Sequence, residues 1–277
     1  MDTQFGRFGV FRRGAECSAE LAVALERLGY GAIWVGGSPS GDLALIEELL
    51  DATTTITIAT GIVNVWRDAP DTVAGSYHRI EHRHPGRFVL GIGVGHPESV
   101  AGYAKPYDAM VAYLDALDAA HVPPDRRVLA ALGPAMLRLA ARRSAGAHPY
   151  LVTPEHTRRA RAILGDGVLL APEQRVVLES DPVRARAIGR PTVQRPYLGL
   201  VNYTRNLRTL GFDDADLDGG GSDRLIDALV VYGEPARIAA GLGAHLDAGA
   251  DHVAINLLTA PGEDLVAGLA SLAAALT

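Results

Sequence analysis

The chain has 277 residues, 48% of them hydrophobic, which is enough to bury a full core in one large α/β domain, and no Ser/Gly-rich, Pro-rich or charge-block tract marks a linker. A net charge of −6 argues against nucleic acid or an anionic membrane as a partner, and no apolar run reaches the length of a bilayer span. A single cysteine, Cys17, excludes an internal disulfide; with no signal-peptide pattern over Met1–Val10, a reducing cytoplasm is expected.

Strands and helices alternate along the chain. Phe5–Phe11 predicts a first strand. Ser18–Leu28 places Leu21, Ala22, Ala24 and Leu25 at helical spacing and stops at Gly29. Ala32–Val35 is the second strand, Gly36–Gly41 a loop, and Asp42 caps a helix running to Leu50. Thr53–Val65 is uncharged and rich in β-branched residues, the pattern of a strand buried on both faces. Asn64, Trp66, Arg67 and Asp68 follow it, with Asp68 predicted to cap a helix from Pro70 to about His84. Polar residues therefore lie just past the carboxyl end of a buried strand, where parallel α/β folds bind ligands.

Arg87–Gly93 is the fourth strand, Tyr107–Ala120 an amphipathic helix and Arg127–Ala131 the fifth strand. Pro134–Arg142 is helical, Ala147–Val152 the sixth strand despite Pro149, and Pro154–Leu164 helical again. Gln174–Glu179 is the seventh strand and Asp251–Asn256 the eighth. Eight strand–helix units in this length predict a (β/α)8 TIM barrel, typically ~250 residues long, with a doubly wound open sheet as the competing architecture. Between strands seven and eight, helical stretches at Asp181–Arg190, Tyr197–Leu210, Asp223–Tyr232 and Pro235–Ala248 predict an insertion placed to lid a pocket.

Several motifs are weighed on their residues alone. Gly91-Ile-Gly93-Val94-Gly95 is G-x-G-x-G with no helix directly after it, so a Rossmann fingerprint does not apply; three glycines at a strand end instead permit close backbone approach to a flat ring. His96, just beyond the strand, titrates near neutrality and suits proton donation, against the commoner structural role of a lone histidine. Gly133-Pro134-Ala135-Met136 and Thr153-Pro154-Glu155-His156 open helices whose free N–H groups suit a phosphate; the alternative is two ordinary helix starts with Thr153 as an N-cap. His78 and His82 lack a third ligand in metalloprotease spacing, so a solvated face is expected and no metal site. Cys17 has no acid–base partner in view.

Thr60-Gly61-Ile62-Val63-Asn64, Arg87–His96, Gly133–Met136 and Leu151–His156, in that order and spacing, resemble the bacterial luciferase-like superfamily. Within it they are most similar to the actinobacterial oxidoreductases that use the deazaflavin coenzyme F420. The similarity extends to Gly36-Gly37-Ser38-Pro39 and Gly199–Tyr203 and so covers nearly the whole chain. It implies a non-prolyl cis peptide at Gly61-Ile62, forming a bulge behind the cofactor ring; the plainer alternative is a glycine that lets the strand bend at the barrel rim. It further implies Asn64 and the Gly93–Gly95 backbone at the ring edge, Gly37 beside it, and the Gly133–Met136 and Thr153 helix starts at the tail phosphate. Trp66 and Tyr203 would line the substrate side, or else serve as core or interface aromatics.

One departure from the family pattern stands out. Where many F420 enzymes carry Asp-His or a similar polar pair after strand two, this chain has Gly37-Ser38, and a hydroxyl is a poor acid near neutral pH. Ser38 can then hydrogen-bond the ring or substrate while His96 or substrate-bound water supplies the proton, or the reaction needs little acid help, or activity has been lost. The expectation is a cytoplasmic, homodimeric F420-dependent oxidoreductase acting on a small molecule. The rivals are an FMN-dependent monooxygenase of the same fold and a non-catalytic flavin- or deazaflavin-binding relative.

Overall fold

In the computed structural model, residues 5–95 and 105–276 are described. The chain enters through β1 (Phe8–Arg13), α1 (Ala19–Arg27), β2 (Ala32–Gly36), α2 (Ala44–Ala52), β3 (Thr57–Gly61), β4 (Val63–Asn64), α3 (Pro70–Arg83) and β5 (Phe88–Gly93). It continues through α4 (Pro106–Ala119), β6 (Arg127–Leu129), α5 (Pro134–Arg143), β7 (Gly146–Ala147), α6 (Pro154–Leu164), β8 (Leu169–Leu170) and β9 (Glu173–Val177). After β9 come α7 (Pro182–Gln194), α8 (Val201–Thr209), α9 (Asp214–Leu217), α10 (Asp223–Leu229), β10 (Val230–Tyr232), α11 (Pro235–Asp247), β11 (Val253–Leu257) and α12 (Leu265–Ala275).

The strands form a parallel sheet in the order β10-β9-β11-β1-β2-β3-β5-β6-β7-β8, with β4 paired to β5. Only Ala171-Pro172 separates β8 from β9, so β8 at one end of this path runs straight into β9, one strand in from the other end. Leu169–Ala171 ladders to β7, where Ala171 N donates to Ala147 O, and the same stretch meets the segment entering β11, where Asp251 N donates to Leu170 O and Ala254 N to Pro172 O. The sheet thus curls into the expected barrel, with β3–β4 and β8–β9 each acting as one interrupted strand.

Side chains alternate across the sheet wall as the period of a strand requires. Ile33, Val35 and Ile58 face the helices and join the large outer core, whereas Ala32, Trp34 and Ala59 face the bore. Trp34 is flanked in the bore by Phe5 (5.4 Å between centroids) and His148 (4.1 Å), both nearly parallel to it. A third cluster, including Tyr203, Leu207, Leu217 and Ile226, is the core of the segment between β9 and β11.

Four local expectations are corrected. The first strand begins at Phe8 rather than Phe5, because Gly6 takes a left-handed φ of 61° that turns Phe5 under the barrel. The sixth strand is only Gly146–Ala147: Pro149 cannot donate to a ladder and Leu151 adopts φ 54°. The stretch Asp223–Tyr232 splits into a helix and β10, whose Val230–Tyr232 pairs beside Arg175–Val177. Asp68 does not cap α3, whose N-cap is Ala69; its carboxylate accepts instead from Gly41 N at 3.0 Å and ties two rim loops together.

Candidate active site

The third strand carries the feature that organises the site. Ile58 and Ala59 pair with Phe88 and Val89, an offset of 30, but Val63 and Asn64 pair with Ile92 and Gly93, an offset of 29. One extra residue is therefore accommodated in the Thr60–Ile62 stretch, which is a β-bulge. The Gly61-Ile62 peptide bond is cis, where the family resemblance put it. The gap in the ladder is bridged by the Thr60 hydroxyl, which donates to Gly91 O and accepts from Gly91 N, both at 2.8 Å.

The bulge lies at the carboxyl end of the barrel, with Gly61 in register beside Gly36 of β2 and Asn64 beside Gly93 of β5. Gly61, Ile62, Asn64, Val94 and Gly95 are half-buried, so this rim is open to a ligand. Asn64 Oδ1 accepts from Trp66 N at 2.9 Å, forming the turn that carries Trp66, itself half-buried, away from the strand. The Asn64 amide nitrogen is left as a donor beside Gly95, where a Cβ would come within 2.6 Å of it. A Cβ at Gly93 would likewise meet the Ile62 side chain at 2.6 Å. These two glycines thus give space first to their neighbours across the bulge.

Of the two helix starts, α5 is the open one. Its N-cap Gly133 provides no side-chain cap, Pro134 occupies the first turn, and among the described residues nothing lies within 4 Å of a Cβ built on Gly133. Gly133, Pro134 and Ala135 are exposed and Met136 is half-buried. At α6, Thr153 is 8% exposed and its hydroxyl accepts from His156 N at 3.4 Å, so that hydroxyl already serves as the helix cap.

Ser38 and Gly37 follow β2 with φ values of 53° and 76°. Arg67 Nη2 donates to the Ser38 and Pro39 carbonyls at 2.6 Å each, which fixes this loop against the one after β4. Tyr203 is buried and meets the Tyr197 ring edge-on at 4.8 Å, within the third cluster. His96 lies outside the described residues. Cys17 donates its thiol to Arg13 O at 3.5 Å, and burial pushes its pKa up to about 11, so it is no nucleophile near neutrality.

Sequence reasoning missed a buried polar group in the barrel mouth. Glu173 accepts from Asn256 Nδ2 at 2.7 Å and Leu151 N at 3.1 Å and pairs with Arg175 Nε at 3.5 Å. Arg175 donates to Thr192 O and to the Tyr150 hydroxyl, and its guanidinium lies over the Tyr150 and Tyr197 rings at 5.2 and 4.9 Å. Burial opposes the Arg175 charge, but Tyr150, Glu173 and Tyr197 outweigh it and raise its pKa; burial raises that of Glu173. The signal was present as charged residues two apart in a strand with no exposed face, where both must point into the bore.

The profile of the luciferase-like monooxygenase family matches residues 13–168. A 4-hydroxyprotoasukamycin monooxygenase from Streptomyces nodosus subsp. asukaensis is 34% identical over 83 residues, which is 27% of this chain and 22% of that relative. The match therefore spans less than a quarter of the curated relative's length. An F420-dependent secondary alcohol dehydrogenase in complex with an F420-acetone adduct superposes with a TM-score of 0.75 at 14% identity, over 98% of this chain and 99% of that one. The oxygenating constituent of 3,6-diketocamphane monooxygenase from Pseudomonas putida, in complex with FMN, does so with a TM-score of 0.68 at 14% identity, over 98% and 96%. At these identities the solved structures establish the fold.

Proposed function

The chain belongs to the luciferase-like monooxygenase family, and from that membership we propose that it is a homodimeric oxidoreductase using the deazaflavin F420 to exchange a hydride with a small organic substrate. The reading is carried by the bulge at Thr60–Ile62, whose Gly61 and Ile62 are half-buried at the open rim of the barrel. The donor set around it suits such a group: a side-chain amide at Asn64 whose nitrogen has no hydrogen-bond partner among the described residues, and an exposed helix start with no side-chain cap at Gly133.

The deazaflavin supplies the hydride-carrying carbon, which no side chain can. The protein's share is placement and exclusion of water. In this reading Gly61 and Ile62 back the ring, Asn64 Nδ2 donates to its polar edge, and the Gly93–Gly95 backbone and Gly37 border it. The free N–H groups at the start of α5, with Ala135 and Met136 in its first turn, hold the tail phosphate, favoured by the positive end of the helix dipole. Thr153 shapes the neighbouring helix start through its cap. Ser38, Trp66 and Tyr203 belong to the substrate side, and His96 is the proton donor by its chemistry.

The same site with FMN and oxygen is the second reading, favoured by the local 34% identity to a monooxygenase. Titrating the purified protein separately with F420 and FMN, following fluorescence and oxygen uptake, tests both. Tight F420 binding without oxygen consumption is expected. FMN binding with substrate-dependent oxygen uptake would transfer the assignment to the monooxygenase, and binding without turnover over a broad substrate panel would support an inert relative.

A further inference from the structure

Beside the bulge, the ends of β1 and β2 enclose an open cleft of about 510 Å3, walled by Arg13 to Glu16, Gly36, Gly37 and the turn into α2. Gly37, proposed to border the ring, is part of this wall, and Gly36 is the register partner of Gly61, so the cleft lies beside the proposed ring site. Its walls mix apolar side chains, Ala15, Leu43, Ala44 and Leu45, with three charged residues.

The three charges are not equivalent. Glu16 pairs with Arg12 Nη2 at 2.8 Å and accepts from Arg13 N at 3.2 Å. Asp42 Oδ1 accepts from Ala44 N at 3.0 Å. Both acids in the wall are therefore engaged by the protein. Arg13 is exposed, and among the described residues its guanidinium pairs with no carboxylate. Its side chain runs along Gly37, where a Cβ would lie 3.7 Å from Arg13 Cβ and 3.8 Å from Nε. The glycine, at φ 76°, leaves that wall low and the guanidinium uncovered. Its charge is also felt at Tyr197 across the mouth, where it works to lower the phenol pKa against the larger effect of burial.

An uncommitted guanidinium in a partly apolar cleft is matched by a planar anion with an apolar body. We propose that this cleft is one arm of the substrate chamber, opening beside the Gly37-Ser38 turn, and that Arg13 binds the carboxylate of an organic acid substrate; this rests on the ring lying against Gly61 and Ile62.

The test uses the full-length protein with benzoate and its neutral isostere benzamide as probes, measured by calorimetry. Benzoate binding is expected, weakened about tenfold or more by Arg13→Ala and less by Arg13→Lys, with benzamide affinity equal in all three proteins. An unchanged melting temperature of Arg13→Ala verifies the fold. Equal benzoate affinity with and without Arg13, or no benzoate binding, would overturn the proposal. F420 titration of the same variants separates the two readings. Unaltered F420 affinity in Arg13→Ala, with benzoate changing bound-F420 fluorescence only in the wild type, supports both. Arg13-dependent benzoate binding in a protein that binds neither F420 nor FMN keeps the carboxylate site and removes the cofactor. Saturating benzoate that leaves bound-F420 fluorescence untouched in the wild type places the cleft away from the ring and overturns its role as an arm of the substrate chamber.

Discussion

At Gly91 an added Cβ would sit 1.7 Å from the Thr60 carbonyl oxygen, a backbone atom that cannot swing aside. Gly91→Ala is therefore expected to destabilise the protein by about 1–3 kcal/mol or more in urea denaturation, and to disturb the bulge that Thr60 bridges. The glycines of this strand were legible as sites of close approach, but what approaches was not: a neighbouring strand at Gly91, Ile62 at Gly93 and Asn64 at Gly95. Arg175 makes the opposite point, being invisible as a site until the barrel closes. Arg175→Met would leave Glu173 buried beside Asn256 with its charge partner gone, and a loss of about 3–5 kcal/mol is expected by the same denaturation measurement. Asn64→Ala removes the acceptor for Trp66 N and the amide proposed at the ring edge. It is expected to cost about 1 kcal/mol of stability and to weaken cofactor binding about tenfold, read by fluorescence titration.

The helices α5 and α6 show how like sequence signals part company. Both open with a proline one residue after the cap, yet Thr153 fills its own cap while Gly133 leaves the first turn of α5 bare. An acidic residue there should act with opposite signs on two measurements. Ala135→Asp is expected to stabilise the helix by about 0.3–1 kcal/mol through the dipole, and to lower affinity for a phosphate-bearing cofactor severalfold by repulsion. An unchanged affinity in a variant whose melting temperature holds or rises would remove the phosphate from that helix start. The short β7 belongs to this scale too. Its apolar pattern read as a six-residue strand, but Pro149 and the left-handed Leu151 stop the ladder after Ala147.

For the molecule as a whole, the buried histidines set the response to acid. His148, His245 and His252 are each pushed down to about 4 by burial, and His156 is lowered for the same reason. Their hydrogen bonds suit neutral rings: His252 accepts from Trp34 Nε1 at 3.0 Å and donates to Gly6 O at 2.9 Å, and His245 bridges Thr157 and Gln174 at 2.8 and 2.7 Å. An unfolded chain takes up these protons near pH 6.5, the folded one only near pH 4. Stability supplied by the neutral rings is thus fully present above about pH 6.5 and is lost progressively as the pH falls towards 4. Urea midpoints measured from pH 7 to 4.5 should decline steadily, and a flat profile would show that these rings do not stay neutral in the fold.

The alternation of strand and helix, the barrel, and the rim on which residues 61, 64, 93 and 133 fall could all be read from the sequence. They follow from local periodicity, turn residues and the order of the motifs, which act over a few residues at a time. Only the tertiary structure decided that Glu173, Arg175, Tyr150 and Asn256 share one buried cluster, or that Arg13 stands uncommitted in a cleft beside Gly37. Those neighbours come from distant strands and loops, and charge pairing between them depends on ring closure and register, which no local pattern encodes.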